Sequence, residues 1–527
     1  MGSFLLAGER SVKAGWYDAV LMSPRVPFAL AVAGLLGIAC GSSSGGSSGS
    51  TPPPPPAEVT FPSNFMWGSS TAGFQVEKGD SNTDWSQWVA NGKIASGDNP
   101  DVGGPDALDH IDDDIAALKA SGQNAYRFSI EWGRVYPTMA DFMNDTPDPA
   151  GVAVYTTLLQ KLQAAHIKPL VTLVHFALPV WLSDGNPATQ QQPQGWERPQ
   201  TQSLFVTWCS RAAKQWGGLV DWWATINEPL PYVLGGYVQG SFPPGIALDL
   251  TRAFAVVKTE ARAHAACYDA IKAADTIDAD GDGKAAWVSL AKHQRTFHPY
   301  DPTSSADQAA TTHVEYLWNE WFLNAIVYGN WDDGLDGSYT EPGDVKGDPT
   351  LKGRADYLGI NYYSDTLISA SVGLKIPAPI NAAVYQANMP TGRPRTDFGW
   401  DIYAEGLGTV LDQAATYGLP IVVTENGIAD ARDVNRSRFL LEHFYQLGWA
   451  IQRGDEVMGY FHWALVDNFE WANGFCPHFG LLSYDRTTGA RTAKGSVSTY
   501  RSVATSGKLT SAQVAAAPAY VAPQECP

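Results

Sequence analysis

Residues 420–463 read PIVVTENGIADARDVNRSRFLLEHFYQLGWAIQRGDEVMGYFHW. The stretch opens on a short β-branched run, Pro420–Thr424, and closes on another, Val457–Trp463. Between them RSRFLLEHFYQLGWAIQRG carries apolar residues at helical spacing and ends in Arg453 and Gly454, as a helix C-terminus should. Two strands joined by one helix form a parallel unit, because a crossover of this length returns the chain in the same direction.

Working outward, the same alternation recurs. Short strand-like runs occur at Asn64–Ser70, Asn124–Ile130, Lys168–Phe176, Asp221–Asn227, Ala285–Ala291 and Asp356–Tyr362. Helical stretches such as DHIDDDIAALKASG (109–122) lie between them. With the two quoted strands the count is eight. Eight strand–helix repeats predict an α/β fold, a (β/α)8 TIM barrel forming a single catalytic domain. Polar residues gather at the strands' C-terminal ends, where such barrels place their sites. Arg127 lies on the second strand, His175 near the end of the third, Asn227 and Glu228 after the fourth. Tyr363 follows the sixth, Glu425 the seventh, and Trp463 ends the eighth.

Glu228 in ATINEPL and Glu425 in VVTENG each stand at the mouth of an apolar strand, where an unpaired charge is costly. Paired carboxyl groups suit cleavage of a glycosidic bond: one protonates the departing oxygen, the other attacks the anomeric carbon. A separation of about 5–5.5 Å belongs to the retaining version. Either Glu alone also fits a salt-bridged rim residue; the pair in these contexts favours chemistry.

The motifs FMWGSSTAGFQVEKG (65–79), YRFSIEW (126–132), LVHF (173–176), TINEP (225–229), GINYY (359–363), VVTENG (422–427) and HWALVDNFEW (462–471) follow one another in order. In this they resemble glycoside hydrolase family 1, the β-glucosidase and β-glycosidase family. The resemblance covers nearly the whole domain and implies roles for individual residues. It makes Glu228 the acid/base and Glu425 the nucleophile, with Arg127 and Tyr363 beside Glu425. It makes Gln75, His175, Asn227, Glu470 and Trp471 sugar-binding residues and Trp463 the platform under the ring. It implies no organic cofactor and no catalytic metal. Glu470 points away from 6-phosphosugar substrates, and Glu228 away from relatives that carry Gln in its place. The activity implied first is β-glucosidase. A β-galactosidase, a β-fucosidase or a transglycosylase are the alternatives on the same site, and a non-catalytic sugar-binding lipoprotein is the alternative outside enzymes. Two departures from the family pattern are Phe176, where many members have Trp, and Cys476–Pro477–His478, where a basic residue often precedes the position of Phe479.

Composition agrees. Of 527 residues 44% are hydrophobic, 17% charged and 12% aromatic, which describes a globular chain; the 19 Trp suit sugar stacking or a large core equally. A formal charge of −19 repels phosphate backbones, so nucleic acid is not an expected partner and a small carbohydrate is. The cysteines, Cys40, Cys209, Cys267, Cys476 and Cys526, show no zinc spacing. One bridge, Cys476 with Cys526, is compatible with export. Asp278, Asp280, Asp282 and Gly283 have the spacing of half a calcium loop, but Ser289 replaces the closing Glu, and a solvated acidic turn is the preferred reading.

Residues 22–40 carry Arg25, an apolar stretch from Pro27 to Ala39, and Cys40. They resemble a bacterial lipoprotein signal, with Gly37 where Leu is usual and Met22 a better start than Met1. The expected plan is a signal over 1–40, a Gly/Ser/Pro-rich tether over 41–58, the barrel over 59–506 and an Ala/Pro-rich tail over 507–527. The expected location is outside the cytoplasmic membrane, anchored through lipid on Cys40, with a simple secretory signal as the alternative.

Overall fold

The computed structural model describes residues 54–371, 374–375, 384–386 and 391–526. The signal segment, the lipid-anchor expectation at Cys40 and residues 41–53 of the tether lie outside the described residues. Eight parallel strands form one closed ring: β1 (Met66–Ser70), β2 (Ala125–Ser129), β3 (Lys168–Val174), β4 (Trp222–Asn227), β5 (Trp287–Pro299), β6 (Leu358–Ser369), β7 (Ile421–Asn426) and β8 (Val457–Trp463). Each pairs with its neighbours in sequence, and β8 pairs back with β1. One major helix follows each strand: α1 (Ile111–Ala120), α2 (Pro149–Ala164), α3 (Thr201–Trp216), α4 (Leu250–Ala274), α5 (Ser305–Glu315), α6 (Ala404–Ala415), α7 (Arg436–Arg453) and α8 (Val497–Ser506). This is the (β/α)8 barrel that the alternation predicts. Gly454 caps α7 at φ 111°, a conformation that glycine adopts without steric cost. Among the described residues no helix is long and apolar enough to cross a membrane.

The barrel's lower end is plugged by Met66, Leu170, Trp222, Trp287, Tyr357, Val422 and Phe461. Trp222 and Trp287 stack at 4.8 Å between ring centroids. The lower interior is therefore solid, and only the upper rim can hold a ligand. Strands β5 and β6 run past their expected ends, to Pro299 and Ser369, and stay paired beyond the barrel. That extension lies over the rim, and no apolar alternation in 292–299 marks it in the sequence.

Among the described residues there are two disulfides. Cys476–Cys526, the bridge that the sequence leaves open, joins the loop after β8 to the tail. Cys209–Cys267 joins α3 to α4, a pairing that the sequence reading does not name; 58 residues separate its cysteines. In the acidic turn Asp278 accepts backbone N–H bonds from Gly281, Asp282 and Gly283, Asp280 Oδ2 pairs with Lys168 Nζ, and Asp282 Oδ2 accepts the Trp287 indole. These carboxylates build the turn, and oxygens of Asp221, Asp278 and Asp280 lie within 4.8 Å of one another there.

Candidate active site

Alternation places Ala125 and Arg127 of β2 inside the barrel. It would not do the same for Glu425. Val422 faces in, so strict alternation would turn Glu425 out. A register shift between Val423 and Glu425 re-aims it inward. A second shift lies between Ala224 and Asn227 on β4, one residue before Glu228. Glu228 itself has φ 49°. Phe176 (φ 65°) and Trp471 (φ 50°) are also left-handed and line the same cavity. Strain of about 1–3 kcal/mol per such residue persists where surrounding structure fixes it, and it clusters at functional sites.

The two carboxylates share one hydrogen-bond system. Arg127 Nη1 donates to Glu425 Oε1 at 2.5 Å, and Tyr363 Oη donates to Glu425 Oε2 at 2.7 Å. Arg127 Nη2 donates to Asn227 Oδ1 at 2.7 Å, and Nε to Thr172 Oγ1 at 3.1 Å. Asn361 Nδ2 donates to Glu228 Oε1 at 2.8 Å and to Asn227 Oδ1 at 3.1 Å. Thr424 Oγ1 donates to Asn361 Oδ1 at 2.6 Å, closing the loop back to β7. Burial pushes the Glu228 carboxyl up to about 8, with the Glu425 charge as the second cause. Withdrawal from water is the larger of the two effects.

A second group sits beside this pair. Burial holds Glu470 at about 7. Its Oε2 accepts from Asn468 Nδ2 at 3.0 Å and Gln75 Nε2 at 3.3 Å. Asn227 Nδ2 donates to His175 Nε2 at 3.0 Å, because Asn227 Oδ1 is already taken by two donors. His175 is thus an Nδ1–H tautomer, and burial followed by the Arg127 charge keeps it neutral. Its Nδ1 and Gln75 Oε1 are buried without a hydrogen-bond partner among the described residues. Orphaned groups in a buried site are costly unless a ligand completes them.

Of the residues expected from sequence, Glu228, Glu425, His175, Asn227, Tyr363, Trp463, Glu470 and Trp471 line one cavity. Gln75 reaches its wall through Glu470, and Arg127 through Glu425. Trp463 lies 5.7 Å from His175 in a near-parallel stack. Phe176 packs on Trp471 and Phe242 at 5.2 and 5.6 Å. His478 turns to Asp467 at 3.1 Å and is not on the cavity wall.

A closed parallel barrel with paired rim carboxylates and open hydroxyl-binding groups is matched at the level of sequence. The family model described as glycosyl hydrolase family 1 matches residues 57–509. The chain belongs to glycosyl hydrolase family 1. It is 33% identical to a β-galactosidase of Pyrococcus woesei over 507 residues, covering 85% of this chain and 98% of that protein. It is 29% identical to a 1,4-β-D-glucan glucohydrolase of Thermotoga neapolitana, covering 85% and 99%. The structure is similar to that of the β-glycosidase from Thermosphaera aggregans, with a TM-score of 0.74 at 26% identity over 87% of this chain and 99% of the other. As a member of glycosyl hydrolase family 1 the protein is an O-glycosyl hydrolase, a retaining glycosidase acting on small sugar substrates.

Several residues of this family 1 site were not legible in the sequence. Asn361 ties Glu228 to Asn227, and Thr172 anchors Arg127. Phe398 and Trp400 line the cavity from the loop after β6. His293 and Trp318 line it from the extension of β5 and the chain beyond it. Asn361 stands inside the quoted GINYY motif and Thr172 inside the expected strand Lys168–Phe176, so both were within reach; His293, Phe398 and Trp400 lie in stretches with no strand or helix period to place them.

Proposed function

We propose that the protein is a β-glucosidase, which removes terminal β-D-glucosyl residues from short oligosaccharides or aryl and alkyl glucosides by double displacement. The observation that carries this reading is the set of open polar atoms, Gln75 Oε1 and His175 Nδ1, grouped with Glu470 beside the Glu228–Glu425 pair. They offer an acceptor, a donor and a carboxylate to adjacent hydroxyls of one sugar ring. Glu425, as nucleophile, displaces the leaving group and becomes a glycosyl ester; Arg127 and Tyr363 hold its oxygens. Glu228 gives its proton to the departing oxygen. It then takes a proton from water, which attacks the anomeric carbon of the glycosyl ester, breaks its bond to Glu425 and frees that carboxylate. Trp463 supplies the platform and Trp471 a second ring.

A β-galactosidase is the second reading, favoured by the name of the Pyrococcus woesei relative. The two sugars differ at O4, and both fit a carboxylate that accepts from vicinal hydroxyls. Hydrolysis of p-nitrophenyl β-glucoside, β-galactoside and β-fucoside, with the first-formed anomer followed by NMR, decides between them. The fastest rate on the glucoside with a β-anomer product is expected. An α-anomer would overturn double displacement, and a faster galactoside would move the assignment to that sugar.

Two further outcomes follow from the electrostatics. Glu228 must carry its proton in the free enzyme, so kcat/KM should fall as pH rises through about 8, its value in the empty site. A profile still rising above pH 9 would exclude Glu228 as the acid. Glu470→Gln should raise KM about 10- to 100-fold, the equivalent of losing hydrogen bonds to a charged acceptor, with a smaller change in kcat. An unchanged KM would remove Glu470 from sugar binding.

The domain plan of signal, tether, barrel and tail is retained as part of this proposal, with export to an oxidising compartment. The buried Cys209–Cys267 bridge and the Cys476–Cys526 bridge support that location, since such bonds persist outside the reducing cytosol. Lipid attachment at Cys40 would be checked by the mass of the mature N-terminal peptide.

A further inference from the structure

Beyond the short helix Ser511–Ala515 the chain runs back along α7 toward the rim of the barrel. Arg438 Nη1 donates to the carbonyls of Ala517 and Pro518, each at 3.2 Å. Tyr520 Oη donates to Glu442 Oε2 at 2.6 Å. The Asn435 side chain pairs with both backbone groups of Val521, at 2.8 and 2.9 Å. Arg432 Nη2 donates to the Ala522 carbonyl. Finally Gln524 N and Cys526 N donate to Asp397 Oδ1 and O at 2.6 and 3.1 Å, and Cys526 is bonded to Cys476.

The last of these contacts end on two loops that wall the sugar cavity. Asp397 immediately precedes Phe398, and Trp400 follows two residues later; Cys476 lies between Asn473 and Phe479. Phe398, Trp400, Asn473 and Phe479 all line the cavity. Trp400 lies 6.1 Å from Phe479 and 5.4 Å from Tyr363, the residue that donates to Glu425. One loop comes from β6 and the other from β8, so the wall joins two segments distant in sequence. An aromatic pair adds about 0.5–1.5 kcal/mol. Ordering one loop residue costs about 1–2 kcal/mol. Ring contacts alone therefore do not hold the wall.

We infer that residues 511–526 form a strap that positions the Phe398–Trp400–Phe479 wall, with Cys526 and Asp397 as its positioning residues. The inference rests on the sugar-pocket reading for its effect on KM, while the order of the loops does not depend on that reading. Glu228 and Glu425 are held from barrel strands, so the strap acts on binding more than on chemistry.

The test compares the full chain with C476S/C526S, with a chain ending at Ala516, and with C209S/C267S, which removes the other bridge. Amide exchange needs no substrate and reads the wall directly. Faster exchange over 396–401 and 470–479, with β4 and β7 unchanged, is expected in the first two variants and not in the third. KM for p-nitrophenyl β-glucoside should rise about tenfold, the equivalent of one lost aromatic contact, with kcat within about twofold. Unchanged exchange in both loops would overturn the strap. So would exchange rising equally in the barrel strands, or an equal KM rise in C209S/C267S. A wild-type chain with no turnover on the glycoside panel would instead count against the β-glucosidase proposal, leaving the exchange result to decide the strap.

Discussion

Replacing Glu425 with glycine is expected to lower turnover of p-nitrophenyl β-glucoside by about 10⁴-fold or more, since losing a nucleophile removes a covalent route and not one contact. The variant should remain folded. Breaking a buried ion pair costs about 3–5 kcal/mol. Here Arg127 keeps Thr172 and Asn227 as acceptors, and the vacated volume admits water. Azide supplied to this variant can enter the emptied space and attack the anomeric carbon from the face that Glu425 used. One displacement inverts, so the product should be the α-glycosyl azide. Its appearance would show that the rest of the machinery, Glu228 included, is intact. Near-normal turnover in the variant would remove Glu425 from the nucleophile role.

How far the sequence reaches is clear from particular residues. The strands β1 to β4, β7 and β8 follow from short β-branched or aromatic runs, because a buried parallel strand is largely apolar. The helix α7 follows from its spacing and from Gly454. Arg127 follows from simple alternation. The inward turn of Glu425 does not, because it depends on a register shift between β6 and β7 that leaves no mark on either strand's composition. The family resemblance carried that residue where periodicity would have failed. The long extension of β5 and β6 and the Phe398–Trp400 loop were not legible by either route. Their positions depend on partners distant in the chain: Asp397 on Cys526, Tyr363 on Trp400. The same holds for Cys209 and Cys267, whose helices meet only because β3 and β4 are neighbours in the ring.

Glu228→Ala should separate the two half-reactions. The first needs a proton only when the leaving group is a poor one, so an activated aryl glycoside such as the 2,4-dinitrophenyl compound should still glycosylate Glu425. The second needs a base to take a proton from water, and should slow about 10²- to 10⁴-fold, the usual contribution of general catalysis. The glycosyl-enzyme then accumulates, seen as a burst of phenolate and as a mass increase on the peptide bearing Glu425. Azide requires no proton removal. It should attack the anomeric carbon of the glycosyl-enzyme directly, displacing the Glu425 carboxylate, restore turnover and give the β-glycosyl azide, because two displacements retain configuration. The two variants thus predict opposite anomers from the same reagent, which assigns each carboxylate without reference to the other. Asn361 loses one acceptor in this variant and keeps Asn227, so the Arg127 and Tyr363 bonds to Glu425 should persist. Absence of both the burst and the azide product would show that the Glu228 proton is not used, and the acid/base role would pass to another group on the wall.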